Sequence, residues 1–144
     1  MDVYDTDGLF VCSFGEGTIG KGTFGTNSIT AANDGRVMVA DWPNCWVHIF
    51  SEDGHHLDKF RLIGGYDYAS IAFHMLSEHV LIVGDKVGCD IVVVEIFTKD
   101  GVFARSTEIF AKDIVGIKGM TVTSDGRIAV LGLYFGMTHK VLAI

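Results

Sequence analysis

Four residues close apolar runs at a near-constant spacing along this chain: Tyr4, Phe50, Phe97 and Ile144, separated by 46, 47 and 47 positions. A fixed period longer than a single strand or helix means that one supersecondary unit is used repeatedly. Each unit must then bury its apolar faces against its neighbours. The period therefore constrains the fold more tightly than composition does.

The unit is clearest between Ser28 and Arg61. A short "SITAA" precedes Asp34-Gly35, "RVMVAD" follows it, and "CWVHIFS" follows the break "WPN". In "CWVHIFS", Trp46, His48 and Phe50 alternate with Val47 and Ile49, which predicts a strand with two different faces. After Asp53-Gly54 comes "HHLDKFR", alternating and more polar, as suits an outer edge. Asp-Gly also stands at Asp7-Gly8, Asp100-Gly101 and Asp125-Gly126. This dipeptide tolerates the positive φ angles of tight hairpins. The same order returns as "IAFH", "HVLIVGD", "IVVVEIFTKDG" and "VFARSTE", and begins again as "MTVTSDG", "RIAVLG" and "KVLAI". No segment of ten or more residues has a capped helical period. Four strands in a unit of about 40 to 45 residues is the pattern of β-propeller blades. A β-sandwich is the alternative, but its strands need no similarity at a fixed period.

The segment "GKGTFGTNSITAANDGRVMVADWPNCWVHIFSEDG" resembles an NHL repeat: a Gly-rich lead-in ending in Phe, a short strand, Asp-Gly before the second strand, Asp after it, then a third strand and a closing Asp-Gly. The second copy keeps "HVLIVGD" and "VVVEIFTKDG" without an Asp-Gly before its second strand. The third keeps "TVTSDGRIAV", with Gly132 where the Asp would stand. In style the chain is similar to the C-terminal NHL domains of tripartite-motif proteins. The RING, B-box and coiled-coil segments of such proteins are not in this sequence, so ubiquitin-ligase activity is not implied. The family's Asn-His-Arg at the start of the third strand is Asn44-Cys45-Trp46 here, a basic residue replaced by an aromatic one.

The expected fold is all-β: three four-stranded NHL blades, a half propeller within one domain of 144 residues. Residues 1–14 supply an outer strand, 15–61 the first blade, 62–108 the second, and 109–144 a third without its outer strand. Propellers close with about four to eight blades. Three cannot join their own ends, and open strand edges recruit partners. A homodimer is expected, each N-terminal strand completing the other chain's last blade in a six-bladed ring, the number usual for the family. The alternative is a fragment of a longer six-bladed protein.

Composition narrows the function. The net charge of −7, from 18 acidic and 11 basic residues, repels phosphate and disfavours nucleic acid. Cys12, Cys45 and Cys89 form no Cys-x-x-Cys pair, which reads as reduced thiols. The N-terminus has no signal-peptide pattern, and the apolar runs are too short to span a membrane. A soluble, cytoplasmic protein is expected. Gly15 to Gly22, "GEGTIGKG", nearly matches phosphate-binding loops, but no helix start follows to hold the phosphates. The six histidines, His48, His55, His56, His74, His79 and His139, lack zinc-site spacing, and Glu52 with Asp53 reads as a solvated turn. No enzyme and no cofactor are expected.

The loops between second and third strands, and those between blades, emerge at one end of a propeller. They carry Trp42, Asn44, Tyr66, Tyr68, Lys86, Tyr134 and Phe135, with Phe24, Lys21, Lys112 and Lys118 nearby. Aromatics exposed on a rigid scaffold are the usual anchors of a binding site. The expected function is a non-catalytic platform for a protein or peptide partner. The alternative is single-stranded RNA, stacked on the same aromatics and neutralised by the lysines.

Overall fold

A computed structural model describes residues 1–19, 28–86, 88–134 and 138–143. The described residues are all-β apart from one 3-10 turn. In chain order the strands are β1 (Asp2–Tyr4), β2 (Phe10–Ser13), β3 (Ser28–Ala31), β4 (Val37–Asp41), β5 (Trp46–Phe50), β6 (His56–Arg61), β7 (Tyr68–His74), β8 (His79–Lys86), β9 (Ile91–Thr98), β10 (Phe103–Phe110), β11 (Ile114–Val122), β12 (Ile128–Tyr134) and β13 (Thr138–Ala143). They form two four-stranded antiparallel sheets, β3-β4-β5-β6 and β7-β8-β9-β10, the three-stranded β11-β12-β13, and the hairpin β1-β2. Among the described residues no helix is long and apolar enough to cross a membrane.

The five Asp-Gly dipeptides make the joints expected of them. Gly8, Gly35, Gly54, Gly101 and Gly126 all have φ between 80 and 84°. A side chain there would strain the turn.

The sheets stack face to face. Met38, Ala40, Val47 and Ile49 of the first sheet pack on Ile71, Phe73, Val80, Ile82 and Phe97 of the second. The opposite face of the second sheet, with Leu81, Val83, Val92 and Val94, packs on Ile114, Ile117, Ile128 and Val130 of the third. A sheet covered on both sides needs apolar residues at every position. That is why "VLIV" reads as an unbroken run. The innermost strands are tied by side chains: Ser28 Oγ accepts the Ile71 amide at 3.1 Å, and Thr30 Oγ1 accepts that of Phe73 at 3.1 Å.

The outer hairpins repeat in detail. Tyr4 pairs with Phe10, Phe50 with His56, and Phe97 with Phe103, and each pair stands beside a β-bulge. The hairpin β1-β2 thus copies the outer halves of both four-stranded sheets. Ile144, the fourth closing residue, lies outside the described residues.

One element of the repeat is displaced. The sequence places Asp85 of "HVLIVGD" level with Asp41 of "VMVAD". In the sheets, however, Val37 opposes Phe50 and Val80 opposes Phe97. Counting on from those rungs, Gly84 matches Asp41, and Asp85 points to the other face. The cause lies within β8: Asp85 stands five residues after Val80, whereas Asp41 stands four after Val37. A one-residue slip reverses the face of every side chain after it.

Candidate functional site at the loop end

The chain leaves β4 through a single 3-10 turn, Trp42–Asn44, with Pro43 in its first turn. Cys45 closes it in the left-handed region, φ 60°, its amide donating to Trp42 O. Asn44 is exposed, yet its amide is engaged: Nδ2 donates to both oxygens of Asp41 at 3.0 Å. Asp41 is buried, and His48 Nε2 lies 3.8 Å from its Oδ2. His48 Nδ1 in turn lies 3.1 Å from His56 Nε2. Burial, then the neighbouring His56, push the His48 imidazole below its ordinary pKa, against the pull of Asp41. Trp46, at the position of the family's Arg, carries Lys59 Nζ 4.3 Å above its ring.

Tyr68, at the start of β7, is half-buried. Its ring lies 5.7 Å from that of Trp42, tilted 44°. From the other side Lys118 Nζ lies 5.2 Å from the Tyr68 centroid. Gly116 leaves room for the ring, since a Cβ there would stand 3.3 Å from Tyr68 Cδ2. Trp42, Tyr68 and Lys118 therefore form a row across three sheets, each contributing one member. A tilted aromatic pair adds about 0.5 to 1.5 kcal/mol beyond its buried area. A cation over an exposed ring adds about 0.5 to 1 kcal/mol.

Asp85 lies opposite Tyr68 in register and is fully buried. Among the described residues neither carboxylate oxygen meets a donor within hydrogen-bonding geometry, although the Ile117 amide lies near enough to favour the charged form. Burial dominates, repulsion from Asp67 adds to it, and Lys118 offsets only part, so the pKa is pushed up to about 6. The folded chain then holds a proton that the unfolded chain releases near its ordinary value of 3.8. The resulting stabilisation is fully present below about pH 4 and is lost as pH rises through about 6. The Asp85→Asn variant is expected to remove that downward slope from urea midpoints measured between pH 4 and 7. An unchanged slope would count against it.

The structure gathers only part of the predicted aromatic face. Tyr66 is 7% exposed and belongs to the core, its hydroxyl donating to Glu95. Burial, then Glu95, push its phenol pKa well up. Tyr134 is 6% exposed, packed between the second and third sheets, and burial raises its pKa too. The expectation that these two stand exposed is thus corrected. Both ring bodies are large enough to fill inter-sheet space, which outweighs leaving them in water. Lys86 is exposed at the end of β8. Phe135, Phe24 and Lys21 lie outside the described residues.

Two residues that matter, Glu95 and Asp85, escaped the sequence reading. Glu95 accepts the Ile63 and Gly64 amides at 3.2 and 2.7 Å, besides the Tyr66 hydroxyl. A lone Glu inside "IVVVEIF" was the signal, because a buried charge needs partners. Asp85 gave the same signal at the end of "HVLIVGD". Lys118, already expected on this face, finds its partner Tyr68 on the neighbouring sheet. Among the described residues no three His, Cys, Asp or Glu side chains converge as a metal site requires.

A scan against protein-family models finds no match, and neither does a search of curated proteins. Among solved structures the chain is similar to a streptogramin B lyase, with a TM-score of 0.51 and 18% identity over 83% of this chain and 41% of that one. A protein of unknown function from Bacteroides caccae gives a TM-score of 0.45 and 12% identity, over 81% of this chain and 44% of that one. The chain thus spans less than half the length of either. The likeness to the lyase shows the fold: four-stranded antiparallel sheets arranged as in a β-propeller.

Proposed function

We propose that the chain is a non-catalytic binding platform, half of an NHL-type six-bladed propeller that a second copy completes. It takes a protein or peptide partner at the loop end. The observation that carries this reading is the row of Trp42, Tyr68 and Lys118, drawn from three sheets onto one surface. Rigid aromatics beside a cation suit a peptide that offers an apolar side chain next to a carboxylate. The activity named for the lyase is not carried over, since likeness at 18% identity speaks for fold alone.

The reading predicts that peptides selected from a random display library on the intact chain lose affinity when the row is broken. Trp42→Ala and Lys118→Ala should each weaken the best peptide, the former by about 30-fold, as for a central aromatic anchor. Lys118 is exposed, so its variant should lower the melting temperature by only a few degrees, the loss of one cation–π contact. Peptides indifferent to both substitutions would place the site elsewhere. Single-stranded RNA is the competing ligand, and the net charge of −7 opposes it. Retention of a random RNA pool at nanomolar protein and about 0.15 M salt, lost in Lys118→Ala, would replace the protein-partner reading.

A further inference from the structure

The row of Trp42, Tyr68 and Lys118 stands beside a charge that it does not use. Asp85 lies opposite Tyr68, so the two side chains leave the same face of the second sheet. That face also carries Leu81 and Val83 and packs on the third sheet. Asp85 is fully buried, and among the described residues neither of its carboxylate oxygens has a hydrogen-bond partner. A carboxylate buried in this way ionises only with a counter-ion at hand.

The groups around Asp85 come from four elements. β7 offers Tyr68 and β9 offers Val92, each in register with it. The connection before β7 offers Asp67, whose amide donates to Asp85 O at 3.0 Å. β11 offers the Ile117 amide and Lys118. Asp67 repels the ionised form of Asp85, and Lys118 is the cation of the set. Two carboxylates therefore share one ammonium.

The local structure of β11 leaves that ammonium two places to go. Ile117 opposes Gly132 and Gly119 opposes Leu131, so Lys118 is the extra residue of a β-bulge. A bulge releases its extra residue from the ladder and re-aims the side chain. Gly116 lets Tyr68 approach on one side of Lys118, and Gly119 on the other has open space beside it. Lys118 is exposed, with Nζ 5.2 Å from the Tyr68 centroid. The Ile117 amide, on the residue before it, already lies beside the Asp85 carboxylate. A cation–π contact at a surface is weak, and a full negative charge in a buried place one rung away outweighs it.

We propose that Asp85 is a proton-controlled latch for the row: protonated, it leaves Lys118 over Tyr68, where the ammonium meets a ligand carboxylate, and ionised, it draws the ammonium in as its own counter-ion. This rests on the reading above that the row takes an acidic peptide, and it names what regulates the site. Burial, then Asp67, push the Asp85 pKa up to about 6, so the latch turns between pH 5 and pH 7. Below that range Asp85 is neutral and Lys118 offers its whole charge to the ligand. Above it, Asp67 and Asp85 both repel a ligand carboxylate and Lys118 is engaged. Linkage requires the converse too: an acidic ligand at Lys118 makes Asp85 hold its proton more tightly.

The test reads Lys118 directly, by NMR of the intact chain between pH 5 and 7.5. Its ε-methylene resonances are identified by their loss in Lys118→Arg. At pH 5 they should lie upfield of those of the other lysines, shifted by the Tyr68 ring, and they should move to the ordinary lysine position as pH rises. In Asp85→Asn, which keeps the shape of the side chain and cannot ionise, they should stay upfield throughout. Resonances that do not move in the wild type, or that move alike in Asp85→Asn, would overturn the latch. The probe for binding is the blocked dipeptide acetyl-Leu-Glu-amide, whose carboxylate stays ionised over most of this range. It should bind the wild type about tenfold more weakly at pH 7.5 than at pH 5, a coupling of ordinary size, and Asp85→Asn equally at both. Wild-type affinity that is equal at both pH values while the resonances move would overturn the control of binding by Asp85. Moving resonances with no binding at either pH would uphold the latch and overturn the acidic-peptide reading on which the site rests.

Discussion

Replacing Glu95 with alanine is expected to destabilise the fold by about 3 kcal/mol or more, since three donors lose their acceptor and each costs about 1 kcal/mol or more when stranded. Those donors are the Ile63 and Gly64 amides and the Tyr66 hydroxyl. All three belong to the connection from the first four-stranded sheet to the second. Glu95 therefore anchors the crossing to the third strand of the sheet it enters. The Tyr66 ring completes the arrangement: a Cβ on Gly84 would stand 2.4 Å from it. Urea unfolding followed by tryptophan fluorescence should show a lower midpoint with unchanged slope. Tyr66→Phe removes one donor only and should cost a fraction of the Glu95→Ala loss. A Glu95→Ala loss below about 1 kcal/mol would mean that water replaces the carboxylate without penalty.

Phe97→Ala is expected to cost about 3 to 5 kcal/mol, as for a fully buried ring between other rings. Phe60 and Phe103 both lose their stacking partner. The informative comparison is with Tyr4→Ala. The two positions share a register, a bulge and a T-shaped neighbour, so local structure predicts the same loss. Tertiary structure predicts otherwise. At nanomolar concentration, with chains separated, Tyr4→Ala should shift unfolding by less than about 1 kcal/mol. Equal losses at high dilution would show that Tyr4 is buried within its own chain.

What the sequence determined by itself is the unit and its joints. The spacing of Tyr4, Phe50 and Phe97 marks the end of the third strand in each copy. The Asp-Gly dipeptides mark turns because the positive φ they need is a local property of the backbone. The polar "HHLDKFR" is an edge because an outer strand has one neighbour only. These features are decided by residues close in the chain, so a linear reading reaches them.

Tertiary structure decided which side of each sheet a residue faces and what waits there. Asp41 and Asp85 look alike in sequence. One additional residue between Val80 and Asp85 sends Asp85 to the opposite face, where it is buried without the Asn44 and His48 that attend Asp41. Tyr66 and Tyr134 sit in loop-end segments like Trp42, but the space left by Gly84 and Gly132 draws their rings inward. Trp42, Tyr68 and Lys118 are separated by 26 and 50 positions, and only the stacking of three sheets brings them into one row. Side-chain burial is a property of neighbours, and in a stack of sheets the neighbours come from other repeats.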